Sequence, residues 1–185
     1  AIEEDTSLKS VLKPFETNVG KLGIMMCEDM WSDDYQINPT EILAENGADV
    51  IINLSCSPWT INKNDKRHRV VKDRLKTSKL PFLYCNNIGI QNNGKNIFIF
   101  DGGSTIYNET GELTGELDHY KEGLLIYDSL QEASPIAAKK DDSIKELWEG
   151  IVYALSKFFE RLPSKKVTIG LSGGVDSAVV ACLLT

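Results

Sequence analysis

The amino-acid sequence predicts an α/β fold, and three observations carry that expectation. Short apolar runs rich in β-branched residues recur at 22–26, 49–54 and 81–86. Stretches with helical spacing of apolar residues lie between them, as in βαβ units on a parallel sheet. Near the C-terminus a glycine-rich turn, Gly170-Leu171-Ser172-Gly173-Gly174-Val175-Asp176-Ser177, separates two further apolar runs at 167–171 and 178–184. That is the pattern of a strand feeding a helix through a tight loop.

Each element has its own reason. Residues 22–26 (Leu-Gly-Ile-Met-Met) read as a buried strand that ends at Cys27-Glu28-Asp29. Pro39 and Thr40 then open a helix, with Thr40 as its cap and Ile42, Leu43 and Ala44 on its apolar face, and Gly47 stops it. Residues 49–54 form the next strand. Residues 63–77 are rich in Lys, Arg and Asp, with Val70, Val71 and Leu75 at helical spacing. The ordinary reading of these charges is a solvated helix face rather than an anion site. A strand follows at 81–86. Residues 96–101 and 104–108 alternate apolar and polar positions and read as strands joined through Gly102-Gly103, with a turn at 108–111 and one more strand at 123–128.

Residues 131–142 are polar and aperiodic, and read as a linker between a segment at 1–130 and a second at 143–185. Ser143 and Glu146 have the spacing of a capping box. Behind them Ile144, Leu147, Trp148, Ile151, Val152, Leu155, Phe158, Phe159 and Leu162 repeat at three and four until Pro163 ends the helix. Such a stripe has to be buried, and the strand and helix around the glycine-rich loop are the nearest candidates.

Composition narrows the function classes. The 185 residues are 42% hydrophobic and 25% charged, the balance of an ordinary globular protein with a sizeable core. A formal net charge of −7 argues against unspecific binding to nucleic acid or to an anionic membrane. No apolar stretch approaches the ~20 residues of a membrane span. Cys27, Cys56, Cys85 and Cys182 lie far apart with only His68 and His119 for company, so neither a zinc site nor a disulfide framework is expected. A cytoplasmic setting follows from that cysteine usage.

The glycine-rich loop is the most specific motif. A helix N-terminus behind a glycine turn gathers backbone N–H groups at the positive end of the helix dipole, which is a seat for phosphate. A Walker A loop would need Gly-Lys-Ser/Thr, and no lysine stands here. Ser172-Gly173-Gly174-Val175-Asp176-Ser177 instead resembles the pyrophosphate loop of the ATP pyrophosphatase family. The resemblance implies that N–H groups of Gly173, Gly174 and Val175 face ATP phosphates, with Ser172 and Ser177 donating hydroxyls. Asp176 would order the loop or help hold magnesium. By the same resemblance Gly170 and Leu171 are also ATP-binding, at the entry to the loop.

Cys27 is the second residue singled out. On bare sequence a cysteine after an apolar run is usually a core residue. Its surroundings, residues 23–31 (Gly-Ile-Met-Met-Cys-Glu-Asp-Met-Trp) and 47–58 (Gly-Ala-Asp-Val-Ile-Ile-Asn-Leu-Ser-Cys-Ser-Pro), resemble the nitrilase superfamily of carbon–nitrogen hydrolases. Asn86-Asn-Ile-Gly and Phe100-Asp-Gly-Gly-Ser104 resemble the later part of that fold. A nitrilase-like segment followed by this phosphate loop is similar to the glutamine-dependent NAD⁺ synthetases, a family of carbon–nitrogen ligases. The resemblance implies an incomplete nitrilase-like αββα sandwich over 1–130. After it would come the first helix, strand and phosphate loop of a doubly wound ATP pyrophosphatase domain.

By the same resemblance Cys27 is the nucleophile that opens the glutamine side-chain amide, and Ser57 and Lys63 are glutamine-binding. The thiol needs a base, because a free thiol is only a few per cent ionised near neutrality. Ammonia would reach the second site and amidate ATP-activated nicotinic acid adenine dinucleotide (deamido-NAD⁺). Implied partners are glutamine, ATP, deamido-NAD⁺ and further copies of the chain. Magnesium ligands are expected outside these residues.

The nitrilase triad also needs a Glu and a Lys from segments upstream of the cysteine. Glu3, Glu4, Lys9 and Lys13 lack the flanking motif, and Glu28 and Asp29 are as readily structural acceptors as catalytic groups. Cys56 is expected to pack. The chain is therefore expected to behave as a fragment that by itself turns over neither glutamine nor ATP. Two other readings stay open: a non-catalytic scaffold module, and an amidotransferase acting on a different acceptor.

Overall fold

A computed structural model describes residues 6–32, 37–139, 142–164 and 166–185. Glu3 and Glu4 lie outside the described residues. After a short helix α1 (Thr6–Val11), strands β1 (Phe15–Thr17) and β2 (Gly20–Met26) form a hairpin. Helix α2 (Pro39–Glu45) leads to β3 (Val50–Ser55), and α3 (Lys63–Ser78) leads to β4 (Phe82–Asn86). Strands β2, β3 and β4 are parallel neighbours, with Met26 opposite Leu54 and Leu54 opposite Cys85. Strands β7 (Thr105–Tyr107) and β8 (Leu113–Glu116) extend the sheet antiparallel beyond β4, giving the order β1-β2-β3-β4-β7-β8.

The core lies on one face of this sheet. Met25, Ile51, Phe82 and Tyr84 point from the strands toward Leu43 of α2 and Val70, Val71 and Leu75 of α3. Gly23 marks the closest approach, since a Cβ there would fall 2.7 Å from Ile51 Cδ1 and 3.3 Å from Leu43 Cβ. The other face carries Ile24, Met26 and Leu54, all exposed. A continuous apolar run is the mark of a strand buried on both sides, and among the described residues this second face is covered only in part, with Val50 and Ile106 buried on it.

Two strands expected next to each other separate into different sheets. Strand β6 (Ile97–Asp101) pairs with β5 (Ile88–Asn92) in a two-stranded ribbon, while β7 joins the main sheet. Gly102 and Gly103, at φ of +71° and +62°, turn the chain between them. The turn at 108–111 forms as expected: the Gly111 N–H donates to the Asn108 carbonyl at 3.0 Å, and Asn108 Oδ1 accepts from the Glu112 N–H at 2.8 Å.

Four expectations are corrected. Residues 123–128 are not a strand but an unpaired segment with Leu124 and Ile126 exposed, and residues 167–171 run without a ladder. An apolar run becomes a strand only when a neighbour offers its N–H and C=O groups, and none of the described strands does so here. Helix α4 (Ser143–Glu160) is capped by Asp142, whose carboxylate accepts from the N–H groups of Ile144 and Lys145, so Ser143 and Glu146 make no capping box. The apolar stripe of α4 is also not what is most buried. Its buried positions are Glu146 and Gly150, while Ile144, Leu147 and Trp148 stay exposed, and the helix rests on β5 and β6 as well as touching α5 (Val175–Leu183).

Candidate active site

The parallel strands β2, β3 and β4 end in a row, and the candidate residues sit on the turns just beyond those carboxyl ends, where open α/β sheets form crevices. Cys27 follows β2 and begins a 3-10 turn, Cys27–Met30. Its φ is +34°, an unusual backbone for a residue with a Cβ. The surrounding bonds hold it there. The Met26 N–H donates to Asp29 Oδ2 at 2.8 Å, the Trp31 N–H donates to the Glu28 carbonyl at 2.8 Å, and Asn53 Nδ2 reaches the Cys27 carbonyl at 3.5 Å. Asp29 is thus a structural acceptor. Asn53 is fully buried and accepts from the Ser55 hydroxyl. Cys27 is half-buried, whereas Cys56, Cys85 and Cys182 are exposed.

Lys63 is the first residue of α3, after Asn62 at φ +60°. Its ammonium stands 4.8 Å from the centre of the Trp31 ring, with that of Lys66 at 5.1 Å, so both cations lie over the one indole ring. Burial pushes the Lys63 pKa below the ordinary lysine value, and Arg67 and Lys66 push the same way. Cys27 and Glu28 oppose them.

Ser57, just past β3, is 2% exposed and is clamped through its backbone. Its N–H donates to Asn86 Oδ1 at 3.0 Å, and its carbonyl accepts from Arg67 Nη2 at 3.1 Å. Asp101 ties the two clamps together. It takes a bidentate pair from Arg67 at 2.6 and 2.8 Å, and Asn86 Nδ2 reaches its Oδ1 at 3.3 Å. Arg67 and Asp101 are both buried, so the pair is a charge-assisted clamp in a dry setting. Nearby Tyr84 is buried too, which raises its phenol pKa, with Arg67 opposing.

The structure therefore brings Cys27, Lys63 and the segment that carries Ser57 to one end of the sheet. Sequence reasoning missed Asn53, Arg67, Asn86 and Asp101 as supports, and it misread α3. Asn64, Arg67 and His68 are buried with Val70, Val71 and Leu75, so the charged helix turns a mixed polar and apolar stripe inward. The signal was present in the spacing, because 64, 67, 68, 71 and 75 share one helix face.

The glycine-rich loop stands apart from this site. Gly173 takes φ +84°, Gly174 precedes α5, and the two serines brace each other. The Ser172 N–H donates to Ser177 Oγ at 3.2 Å, the Gly174 N–H donates to Ser172 Oγ at 3.4 Å, and Ser177 Oγ donates to the Gly174 carbonyl at 3.1 Å. Gly170, Leu171, Val175 and Asp176 are exposed alongside. Among the described residues no group of three His, Cys, Asp or Glu side chains is placed to hold a metal ion, and no helix is long and apolar enough to cross a membrane.

Comparison with known proteins agrees with this division. Residues 147–185 match the NAD synthase family model, and residues 3–134 match the carbon-nitrogen hydrolase model. A glutamine-dependent NAD(+) synthetase of Synechocystis sp. is 30% identical over 175 residues, 88% of this chain and 31% of that protein. The corresponding protein of Acinetobacter baylyi is also 30% identical, over 91% of this chain and 30% of its own length. The chain thus spans about a third of these curated relatives. A solved glutamine-dependent NAD⁺ synthetase of Acinetobacter baumannii, in complex with ADP, superposes with a TM-score of 0.79 at 30% identity, over 92% of this chain and 32% of that one. A carbon-nitrogen hydrolase of Helicobacter pylori superposes with a TM-score of 0.52 at 25% identity, over 60% of this chain and 41% of that one. Since the hydrolase match runs through most of the sequence and encloses both Cys27 and the clamped Ser57 segment, the chain belongs to the carbon-nitrogen hydrolase family.

Proposed function

We propose that this chain supplies the nucleophile and part of the substrate pocket of a glutamine amidase, joined to the phosphate loop of an ATP-dependent amide-forming ligase. The observation that carries the reading is Cys27 held at positive φ beyond β2, in a turn whose closing residue, Trp31, has the Lys63 ammonium over its ring. In this reading the Cys27 thiolate attacks the side-chain amide carbon of glutamine, and the carbonyl π electrons move onto oxygen. Backbone N–H groups at the Cys27–Glu28 turn stabilise that oxyanion, and the Lys63 ammonium helps bind the glutamine. Collapse breaks the C–N bond and expels ammonia carrying the proton that the Cys27 thiol gave up, and water then hydrolyses the thioester to glutamate and the free thiol. The general base and second lysine that the nitrilase chemistry calls for are assigned to no residue here.

Ser57 is positioned to bind glutamine, its segment fixed by Arg67 and Asn86. At the second site the N–H groups of Gly173, Gly174 and Val175 and the hydroxyls of Ser172 and Ser177 would receive the phosphates of ATP, which activates the carboxylate of deamido-NAD⁺ for ammonia. Among the described residues no group of three His, Cys, Asp or Glu side chains is placed to hold magnesium. The segment boundaries near 130 and 143, a homo-oligomeric assembly and a cytoplasmic setting belong to the same proposal.

The test is Cys27→Ala in the intact protein. Glutamine hydrolysis and glutamine-driven NAD⁺ formation are expected to vanish, while NAD⁺ formation from added ammonium salt persists. Glutaminase activity that survives in Cys27→Ala overturns the reading.

A further inference from the structure

Helix α4 does more than follow the linker: it is bolted to the segment that carries Ser57 and Lys63. The indole Nε1 of Trp59 donates to Glu146 Oε1, a contact across 87 positions of sequence. Glu146 lies in the first turn of α4 and is only 5% exposed. A carboxylate is rarely buried without a specific partner, and Trp59 is one it has. One turn further along, Gly150 is buried against the same indole. A Cβ at 150 would fall 3.6 Å from two carbons of the Trp59 ring and 2.9 Å from the Tyr120 hydroxyl. Glycine inside a helix costs ~1 kcal/mol relative to alanine, and close approach to Trp59 and Tyr120 is what it permits here.

The rest of the contact reinforces this. The Trp59 N–H donates to the Ile99 carbonyl at 2.7 Å, fixing its backbone to β6. The Tyr120 ring stacks on Tyr153 of α4 with centroids 4.9 Å apart, and its N–H donates to the Asp101 carbonyl at 2.8 Å. Asp101 is the residue that clamps Arg67, and Arg67 holds the Ser57 carbonyl. Two routes therefore lead from α4 to the Ser57 segment: directly through Trp59, two residues on, and through Tyr120 and Asp101.

We propose that Glu146 is a positioning residue for the glutamine pocket, acting through Trp59, so that the seating of α4 sets glutamine affinity. The proposal rests on the reading of Ser57 and Lys63 as glutamine-binding. Glu146 lies on the far side of the linker and touches no reacting atom. Its effect is confined to the geometry of the segment from Ser57 to Lys63.

The experiment is glutamine protection of Cys27 against iodoacetamide in the intact protein, read by peptide mass spectrometry so that Cys56, Cys85 and Cys182 are counted separately. Glu146→Ala is expected to raise the half-protecting glutamine concentration about tenfold, while alkylation without glutamine changes less than twofold. Glu146→Gln keeps an acceptor oxygen for the indole and is expected to recover most of the loss. Trp59→Phe, which removes the donor, should match Glu146→Ala. Unchanged half-protection in Glu146→Ala overturns the proposal, as does an equal change in the unprotected rate, which would mark general loosening. If glutamine fails to protect Cys27 in the parent protein, the glutamine-site reading itself falls and this inference falls with it.

Discussion

Removing Asp101 tests the support of the site most directly. Arg67 and Asp101 are 2% and 0% exposed, and their guanidinium–carboxylate pair is bidentate at 2.6 and 2.8 Å. Asp101→Leu leaves the Arg67 charge buried without its counterion, a change that costs about 3–5 kcal/mol. It also deprives Asn86 of one acceptor, although the bond from Asn86 Nδ2 to the Gly102 carbonyl at 3.0 Å survives. With a urea m-value of about 2 kcal/mol/M for a small protein, the unfolding midpoint should fall by about 1.5–2.5 M.

The double variant Arg67→Met with Asp101→Leu removes both charges. It should be more stable than Asp101→Leu alone, because no unpaired charge remains. It should still fall short of the parent protein, because the Ser57 carbonyl has lost its donor. Urea denaturation followed by circular dichroism measures all four corners of the cycle. An Asp101→Leu cost below about 1 kcal/mol, or a double variant no more stable than Asp101→Leu, would refute the claim that this pair is a dry clamp.

Three further outcomes follow from single residues. The lowered Lys63 pKa means that its charge is lost at a lower pH than that of an ordinary lysine. Glutamine protection of Cys27 should therefore weaken on the alkaline side before pH ~10.4, and Lys63→Arg should move that limb upward, since arginine stays protonated; no movement in a pH titration counts against a Lys63 role. Between the lowered folded pKa and the ordinary unfolded one the unfolded chain binds more protons, so the Lys63 contribution to stability rises with pH in that window. For Glu116, burial works against ionisation, but hydrogen bonds from His68, the Lys139 N–H and Asn64 outweigh it and hold the carboxyl below its usual value. The stability it contributes is complete above the unfolded carboxyl pKa of ~4.3 and fades as pH falls through the lower folded one; urea midpoints of Glu116→Gln should lose part of the acid dependence of the parent. Gly23→Val should cost about 1–3 kcal/mol by overpacking against Ile51 and Leu43, and an unchanged melting temperature would show that α2 can move away.

Much of the fold was readable from local pattern. The strands at 22–26, 49–54 and 81–86 and the two helices between them are apolar and periodic enough to announce themselves, and the turn at 108–111 follows from Asn and Gly. The same logic overreached at 123–128 and 167–171, where the apolar pattern is present but no neighbouring strand accepts the ladder. It also read 96–101 and 104–108 as strands joined at a tight turn, and sequence proximity does not reveal that two glycines send the chain into another sheet.

At the site, the sequence by itself offered Cys27 and the 172–177 loop as candidates, because the motifs that resemble known families are contiguous stretches, 23–31 and 170–177, that can be read without the fold. Only the tertiary structure decided what holds them. Arg67 meets Asp101 across 34 residues, Ser57 meets Asn86 across 29, and Trp59 meets Glu146 across 87. A charged side chain on a helix looks solvated until a distant carboxylate is folded against it, because desolvation and pairing are properties of the packed chain and leave no local mark.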